Sequence, residues 1–180
     1  MNKNILNFIK AHENLINNNE WEKIYKDAND DSEFYMHVGK LTQILLESSI
    51  DPLDYIDYIP ERYLRYTDVE EFQLPNNIIR IDNYAFFNCL KLTNIIIPNS
   101  VISIGESVFY ACMSLENVII GSGVKKNIEA FAFGHCYKLS KITYNGTKSQ
   151  WDTIKKGEDW EAFSRVKTIQ CIDGDLKIRN

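Results

Sequence analysis

Histidines are the first side chains to consider for catalysis, because imidazole is the group most often used as a general base. The chain has three of them, His12, His37 and His135. The first two fall in segments with helical periodicity and the third in a repeat, so no histidine is predicted to pair with a serine or cysteine nucleophile. The sequence also lacks Gly-x-Gly-x-x-Gly and Gly-Lys-Ser/Thr phosphate loops. We therefore expect a protein that is not an enzyme and uses no cofactor.

The cysteines and one acidic segment are the candidates for metal binding. Cys89, Cys112, Cys136 and Cys171 are separated by 23, 24 and 35 residues, whereas zinc sites usually draw on close pairs such as C-x2-C. The segment Asp27–Val38 begins like a calcium loop, but serine and valine stand where the loop needs glycine and a closing carboxylate. We therefore expect no metal site.

The cysteine spacing instead marks an internal repeat. Aligned at the cysteines, the units are Phe72–Asn94, Ile95–Asn117 and Val118–Lys141. A degenerate half-unit, Ile59–Glu71, precedes them, and the longer third unit predicts a bulge at Lys125–Asn127. Regular apolar columns are what a solenoid core requires, with the small thiols filling one of them. The other columns are Ile78, Val101 and Val124; Ile81, Ile104 and Ile128; Phe86, Phe109 and Phe133; and Leu92, Leu115 and Leu139.

The units resemble the BspA-like, or Treponema pallidum-type, leucine-rich repeats, whose pattern is I-P-x-S-V-x-x-I-G-x-x-A-F-x-x-C-x-x-L-x-x-I. The segment IPNSVISIGESVFYACMSLENV, Ile97–Val118, follows this pattern almost throughout. Tyr144–Trp160 is similar to the segment that often closes such arrays. The resemblance implies a curved, right-handed solenoid with a small β-sheet that binds macromolecules, and many members of the family are secreted or lie on the cell surface.

A stack this short exposes apolar faces at both ends, so we expect caps. Apolar residues recur at three- and four-residue intervals in residues 5–48, which predicts N-terminal helices. Trp151 and Trp160 are predicted to cover the other end, followed by a hairpin that turns at Asp173-Gly174. The predicted fold is therefore α+β, with a helical N-terminal module over 1–58, leucine-rich repeats over 59–144 and a C-terminal cap over 145–180.

Strand alternation predicts which repeat side chains point outward, to the concave face of the sheet. Two apolar residues, Ile96 and Ile119, would lie side by side there with polar neighbours, as at the centre of a protein interface. The competing interpretation is that β-branched residues occupy exposed strands through propensity alone. The predicted partner-binding residues are Glu71, Gln73, Asn94, Ile96, Asn117, Ile119, Lys141 and Thr143.

The N-terminal third of the chain offers an alternative site. Residues 1–60 carry five Lys or Arg against eleven Asp or Glu, and the whole chain has a net charge of −5. Direct nucleic-acid binding is therefore not expected. A solvated helix face explains the charge, but an acidic head would also fit a basic protein surface. The alternative function is a small inhibitor encoded by a phage or mobile element, with an anti-CRISPR-like role, that blocks the nucleic-acid channel of a host defence complex through Glu20, Glu22, Asp27, Asp30, Asp31 and Glu33.

The cellular compartment is predicted from the absence of long apolar runs. Residues 1–10 contain no signal-peptide core, and no segment approaches the ~20 apolar residues of a membrane span. We expect a protein in the cytoplasm of a bacterial host cell that binds another protein and no membrane. A second alternative is a fragment of a cell-surface adhesin, because many members of the family lie on the cell surface.

Overall fold

Two β-sheets, built mainly by parallel pairing of successive turns, make up the computed structural model, which describes residues 57–59 and 61–178. The chain forms a solenoid of about five turns. The short-strand sheet contains, in order, β1 (Tyr58–Ile59), β3 (Arg80–Ile81), β5 (Ser103–Ile104), β7 (Asn127–Ile128) and β9 (Lys155–Lys156). The long-strand sheet runs in the order β2 (Glu71–Gln73), β4 (Asn94–Ile97), β6 (Asn117–Ile120), β8 (Lys141–Tyr144), β10 (Thr168–Cys171) and β11 (Gly174–Lys177).

The strand register confirms the repeat length of 23 residues between the first two units. Asn94 pairs with Asn117, and Ile81 pairs with Ile104. The extra residue of the third unit is taken up at Lys125 and Lys126, whose N–H groups both donate to the Ile102 carbonyl. β7 follows immediately and is again in register with β5. The predicted bulge is therefore where the structure accommodates the insertion.

A continuous column of aromatic rings fills the core between the two sheets. Phe86, Phe109 and Phe133 are fully buried and stack with centroid distances of 5.1 and 5.3 Å and nearly parallel planes. The Trp160 ring packs edge-on against Phe133, with the centroids 6.1 Å apart, and edge-on against Trp151, with the centroids 5.8 Å apart. Both indoles are buried, so they cover the C-terminal end of the column as the sequence predicted.

Cys89, Cys112 and Cys136 form a second buried column, and their thiols connect successive turns. Cys89 Sγ donates to the Leu64 carbonyl at 3.0 Å. Cys112 and Cys136 make the same bond to Phe86 and Phe109, at 3.1 and 3.0 Å. All four cysteines are free and buried. The thiols of Cys89, Cys112 and Cys136 therefore have a structural role, because each adds a second hydrogen bond to a carbonyl that already accepts from the backbone N–H three residues further along.

Burial of the Cys112 and Cys136 thiols makes stability depend on pH. Burial raises the pKa of Cys112 well above its usual value and that of Cys136 from 9.0 to about 12. The stability gained by keeping each thiol neutral is complete below about pH 9 and is lost as pH rises toward the folded pKa, because the unfolded chain ionises first. Between about pH 7.5 and 10.5 we expect Cys136 alone to lower the free energy of unfolding by about 2 kcal/mol. Urea unfolding at both pH values measures this loss.

The matched control is Cys136→Ser, because a serine hydroxyl can donate to the Phe109 carbonyl and does not titrate in this range. Its unfolding free energy should fall less with pH than that of the parent chain, by about the same 2 kcal/mol. Equal pH dependence in the two proteins would contradict the assigned cause.

Non-glycine residues with positive φ recur twice in each turn, four residues apart. Such a conformation costs an L-residue about 1 kcal/mol. In every turn but the last, each of these residues donates its N–H to the next turn, as Tyr84 does to the Glu106 carbonyl at 2.9 Å. The bonds between turns therefore hold the strained backbone in place. The two columns are Arg62, Tyr84, Ser107, Phe131 and Asp159, and Tyr66, Asn88, Ala111, His135 and Phe163.

The C-terminal segment continues the solenoid as well as closing it. β9 and β10 extend the two sheets. The insertion that lengthens this turn contains α1 (Lys148–Thr153), capped by Thr147, whose side chain accepts from the Gln150 N–H. In the short-strand sheet Lys156 takes the place held by buried isoleucines in earlier turns, and its ammonium lies 4.8 Å from the Trp151 ring centroid. Burial lowers the pKa of Lys156.

The predicted hairpin is present, but its turn is one residue earlier than expected. Cys171 pairs with Gly174, so the turn residues are Ile172 and Asp173. The Asp173 carboxylate accepts from the Lys148 N–H at 2.8 Å, which ties the turn to the start of α1. Gly174 has a φ of +109°, a conformation open to glycine.

The predicted N-terminal helices lie outside the described residues, and the division of the chain at residues 58 and 144 stays a prediction. Within the described part of the chain, no helix is long and apolar enough to cross a membrane.

Candidate functional site

Eight side chains of the long-strand sheet form the surface that we call the outward face. Pairing of β2, β4, β6 and β8 aligns them in two neighbouring columns. Alternate residues of the same strands, such as Ile95 and Val118, are buried in the core. The columns are Glu71, Asn94, Asn117 and Lys141, and Gln73, Ile96, Ile119 and Thr143. The structure thus brings all eight predicted residues together on one side of the sheet.

The first column is polar and internally hydrogen-bonded. Asn117 Nδ2 donates to Asn94 Oδ1 at 2.9 Å, and Asn94 Nδ2 donates to Thr93 Oγ1 at 3.0 Å. Glu71 and Lys141 are exposed at opposite ends of this column. The two asparagines are therefore held in fixed orientations, with an acidic group on one side and a basic group on the other.

The second column carries the exposed apolar surface. Ile96 is 60% exposed, whereas Ile119 beside it is half-buried. Gln73 and Thr143 flank the pair on the neighbouring strands. Beyond them, Thr143 Oγ1 donates to Gln170 Oε1 on β10 at 3.4 Å, which extends the column by one strand. An apolar centre with a polar surround is typical of protein interfaces.

A groove of about 760 Å³ lies over the β2 and β4 end of this face. Ile96 and Gln73 line it, together with Asn76, Asn99 and Asn145 from the turns that follow the strands. The strand-alternation argument missed these three asparagines, since it applies only within strands. Asn76 and Asn99 are 23 residues apart, so the repeat could have indicated these two, whereas Asn145 lies outside that column. Asn99 also binds the next turn by accepting from the Ser122 N–H at 2.9 Å.

The described part of the chain contains one histidine, His135, and it packs among aromatic rings. His135 packs against Tyr110 and Phe163, with ring centroids 4.9 and 4.4 Å away, and its Nδ1 lies 2.6 Å from Tyr137 Oη. Within residues 57–59 and 61–178, no group of three or more His, Cys, Asp or Glu side chains could hold a metal ion. The outward face itself offers hydrogen-bonding amides, one apolar patch and two opposite charges.

The acidic residues proposed as an alternative site lie outside the described residues. They are Glu20, Glu22, Asp27, Asp30, Asp31 and Glu33. Their partner-binding role stays a prediction.

Comparison with known proteins identifies similar structures. The chain resembles the pneumococcal vaccine antigen PcpA, with 21% identity and a TM-score of 0.54, over 66% of this chain and 29% of that one. A leucine-rich repeat protein from Bacteroides ovatus has 29% identity and a TM-score of 0.43, over 52% and 25% of the two chains. A T. pallidum leucine-rich repeat protein has 22% identity and a TM-score of 0.35, over 49% and 52%. Among curated proteins no significant match was found.

These alignments span from about a quarter to about half of the solved chains. The likeness to PcpA supports the solenoid fold and nothing more specific. The family model described as BspA type Leucine rich repeat region (6 copies) matches residues 57–173, which is well over half of the chain. Solenoids of this type are generally non-enzymatic binding modules. The chain belongs to the BspA-type leucine-rich-repeat family.

Proposed function

We propose that this protein is a non-enzymatic module that binds another protein through the outward face. The observation that carries the proposal is the exposure of Ile96, at 60%, on the floor of a groove rimmed by asparagines and flanked by the half-buried Ile119. An isoleucine this exposed gains about 1–2 kcal/mol when a partner removes it from water. The fixed asparagine pair of the neighbouring column supplies directional hydrogen bonds next to that apolar centre.

Rigidity supports the proposal. Each strand of the face pairs with its neighbours in register, and the inward-facing residues of β4, β6 and β8 are fully or almost fully buried. A surface that is already ordered loses little conformational entropy on binding. The module can therefore present a small patch without rearranging.

The double substitution Ile96→Asp and Ile119→Asp tests the face. A partner captured from native cell extract and identified by mass spectrometry is titrated against the purified variant. We expect affinity to fall about 30-fold or more, because two carboxylates would be buried without partners at the interface centre.

The matched control is Ile79→Asp with Ile102→Asp. These isoleucines are 38% and 46% exposed, lie in adjacent turns and are outside the outward face. The control variant should retain full affinity and a cooperative unfolding transition. Full binding by a folded Ile96→Asp, Ile119→Asp protein would remove the proposal.

The captured partner also decides between the more specific functions. A host defence complex whose binding is lost on charge reversal of the acidic head would support the inhibitor hypothesis. An extracellular ligand would support the adhesin fragment. We keep the bacterial cytoplasm as the proposed compartment, supported by four buried cysteines that are free, since cytosolic thiols stay reduced.

A further inference from the structure

The last strand of the long-strand sheet, β11, has one edge that no described strand covers. β11 pairs antiparallel with β10, from Thr168 opposite Lys177 to Cys171 opposite Gly174. The Ile178 N–H donates to the Lys167 carbonyl at 3.0 Å. Because antiparallel pairing alternates, residues 174, 176 and 178 direct their backbone groups toward β10, and Asp175 and Lys177 direct theirs outward.

We propose that this edge pairs with the same edge of a second copy of the chain, antiparallel and centred on Leu176. A two-fold axis at Leu176 places Asp175 opposite Lys177 of the other copy, and Lys177 opposite its Asp175. The outward N–H and C=O groups of both residues then form two hydrogen-bonded pairs across the axis. The six-stranded sheets of the two copies become one continuous sheet.

The charges of Asp175 and Lys177 favour this register over the two registers that are shifted by one residue. Centring the axis on Asp175 would set two aspartates opposite each other, and centring it on Lys177 would set two lysines opposite each other. Like charges directly across a strand pair are destabilising, and opposite charges are stabilising. Both side chains are exposed, on the same side of the sheet as the outward face, because Asp175 is the cross-strand partner of Gln170.

The other side of the sheet is also self-complementary in this register. Leu176 and Ile178 are partly buried against the end of the core, where they line a cavity of about 440 Å³ together with Trp151 and Trp160. Leu176 faces Leu176 of the second copy, and Ile178 faces the other copy's Gly174. A side chain built on Gly174 would contact only Lys148 Nζ, at 3.4 Å, so space is available there for the isoleucine. The second copy thus covers apolar surface that the single chain leaves half-exposed.

Sedimentation equilibrium of the full chain, from about 1 μM to about 500 μM, tests the proposal. We expect a reversible dimer. Asp175→Lys and Lys177→Asp should each raise the dissociation constant about tenfold or more, because both cross-strand pairs become like-charged. The charge-swapped double variant, Asp175→Lys with Lys177→Asp, keeps a self-complementary edge and should dimerise within about twofold of the parent chain.

Rescue by the double variant separates this edge from any other dimer contact. Asp175→Pro adds an independent block, since it removes an outward N–H that β10 does not use and should give a folded monomer. Circular dichroism and thermal unfolding of every variant check the fold. A parent chain that stays monomeric throughout, or a dimer that the single charge changes leave unaffected, would overturn the proposal.

Discussion

Replacing Phe109 by alanine should lower the free energy of unfolding by about 3–5 kcal/mol. The ring is fully buried and stacks between Phe86 and Phe133 at 5.1 and 5.3 Å. The resulting cavity has little freedom to collapse, because the Phe109 N–H donates to Ala132 at 2.8 Å and neighbouring turns are bonded in the same way. Urea unfolding of the variant and the parent chain measures the loss.

Tyr110→Ala is the matched control for this prediction. Tyr110 is the next residue along the chain and stacks on Phe87 at 5.2 Å with nearly parallel planes, but its ring is half-exposed. We expect a loss of about 1–2 kcal/mol, since less apolar area leaves contact with the protein. A loss as large as that of Phe109→Ala would show that ring stacking, rather than burial, dominates.

The second large effect is expected for Gly123→Ala, which should lower the free energy of unfolding by about 3 kcal/mol or more. A Cβ on Gly123 would lie 1.7 Å from the Asn99 carbonyl oxygen and 2.7 Å from its carbon. The clash is with backbone of the preceding turn, which cannot rotate away as a side chain can. Separating the turns would also weaken the bond from the Ser122 N–H to Asn99 Oδ1. Thermal and urea unfolding both report the change.

Gly134→Ala serves as the comparison, because it adds the same methyl group at a glycine that is more deeply buried than Gly123. Its Cβ would lie 3.1 Å from Tyr110 Cδ2, an atom of a side chain that can shift by a few tenths of an ångström. The expected cost is about 1 kcal/mol or less. Similar losses for the two variants would argue against close turn-to-turn backbone contact as the cause.

The repeat and its core could be predicted because three units share one register. Once the cysteines were aligned, Phe109 fell between Phe86 and Phe133, and strand alternation placed Ile96 beside Ile119. The same columns appear in the strand pairing, and the family resemblance is confirmed. Regular spacing thus fixes both the buried residues and the outward face.

Other features leave little trace in the sequence. The short-strand sheet has two residues per strand, too few to show alternation. The fifth turn is obscured because its insertion places Trp160 27 residues after Phe133 rather than 23 or 24. The positive-φ columns hold tyrosine, serine, alanine and other residue types, so composition does not mark them. In the first four turns these residues donate their N–H groups to the next turn, a contact that exists only after the turns are stacked.

Lys156 determines where this array can gain length. Four isoleucines, one per turn, stack through the short-strand sheet until the fifth position brings an ammonium that binds the Trp151 carbonyl. A further turn placed after Lys156 would have to bury that charge between two apolar layers, which is unfavourable when its partner is a neutral carbonyl rather than an opposite charge. Duplication of a whole unit before it would only repeat contacts that already exist. Extra repeat units should therefore be tolerated when they are inserted before Lys156 and should destabilise the fold when they are added after it.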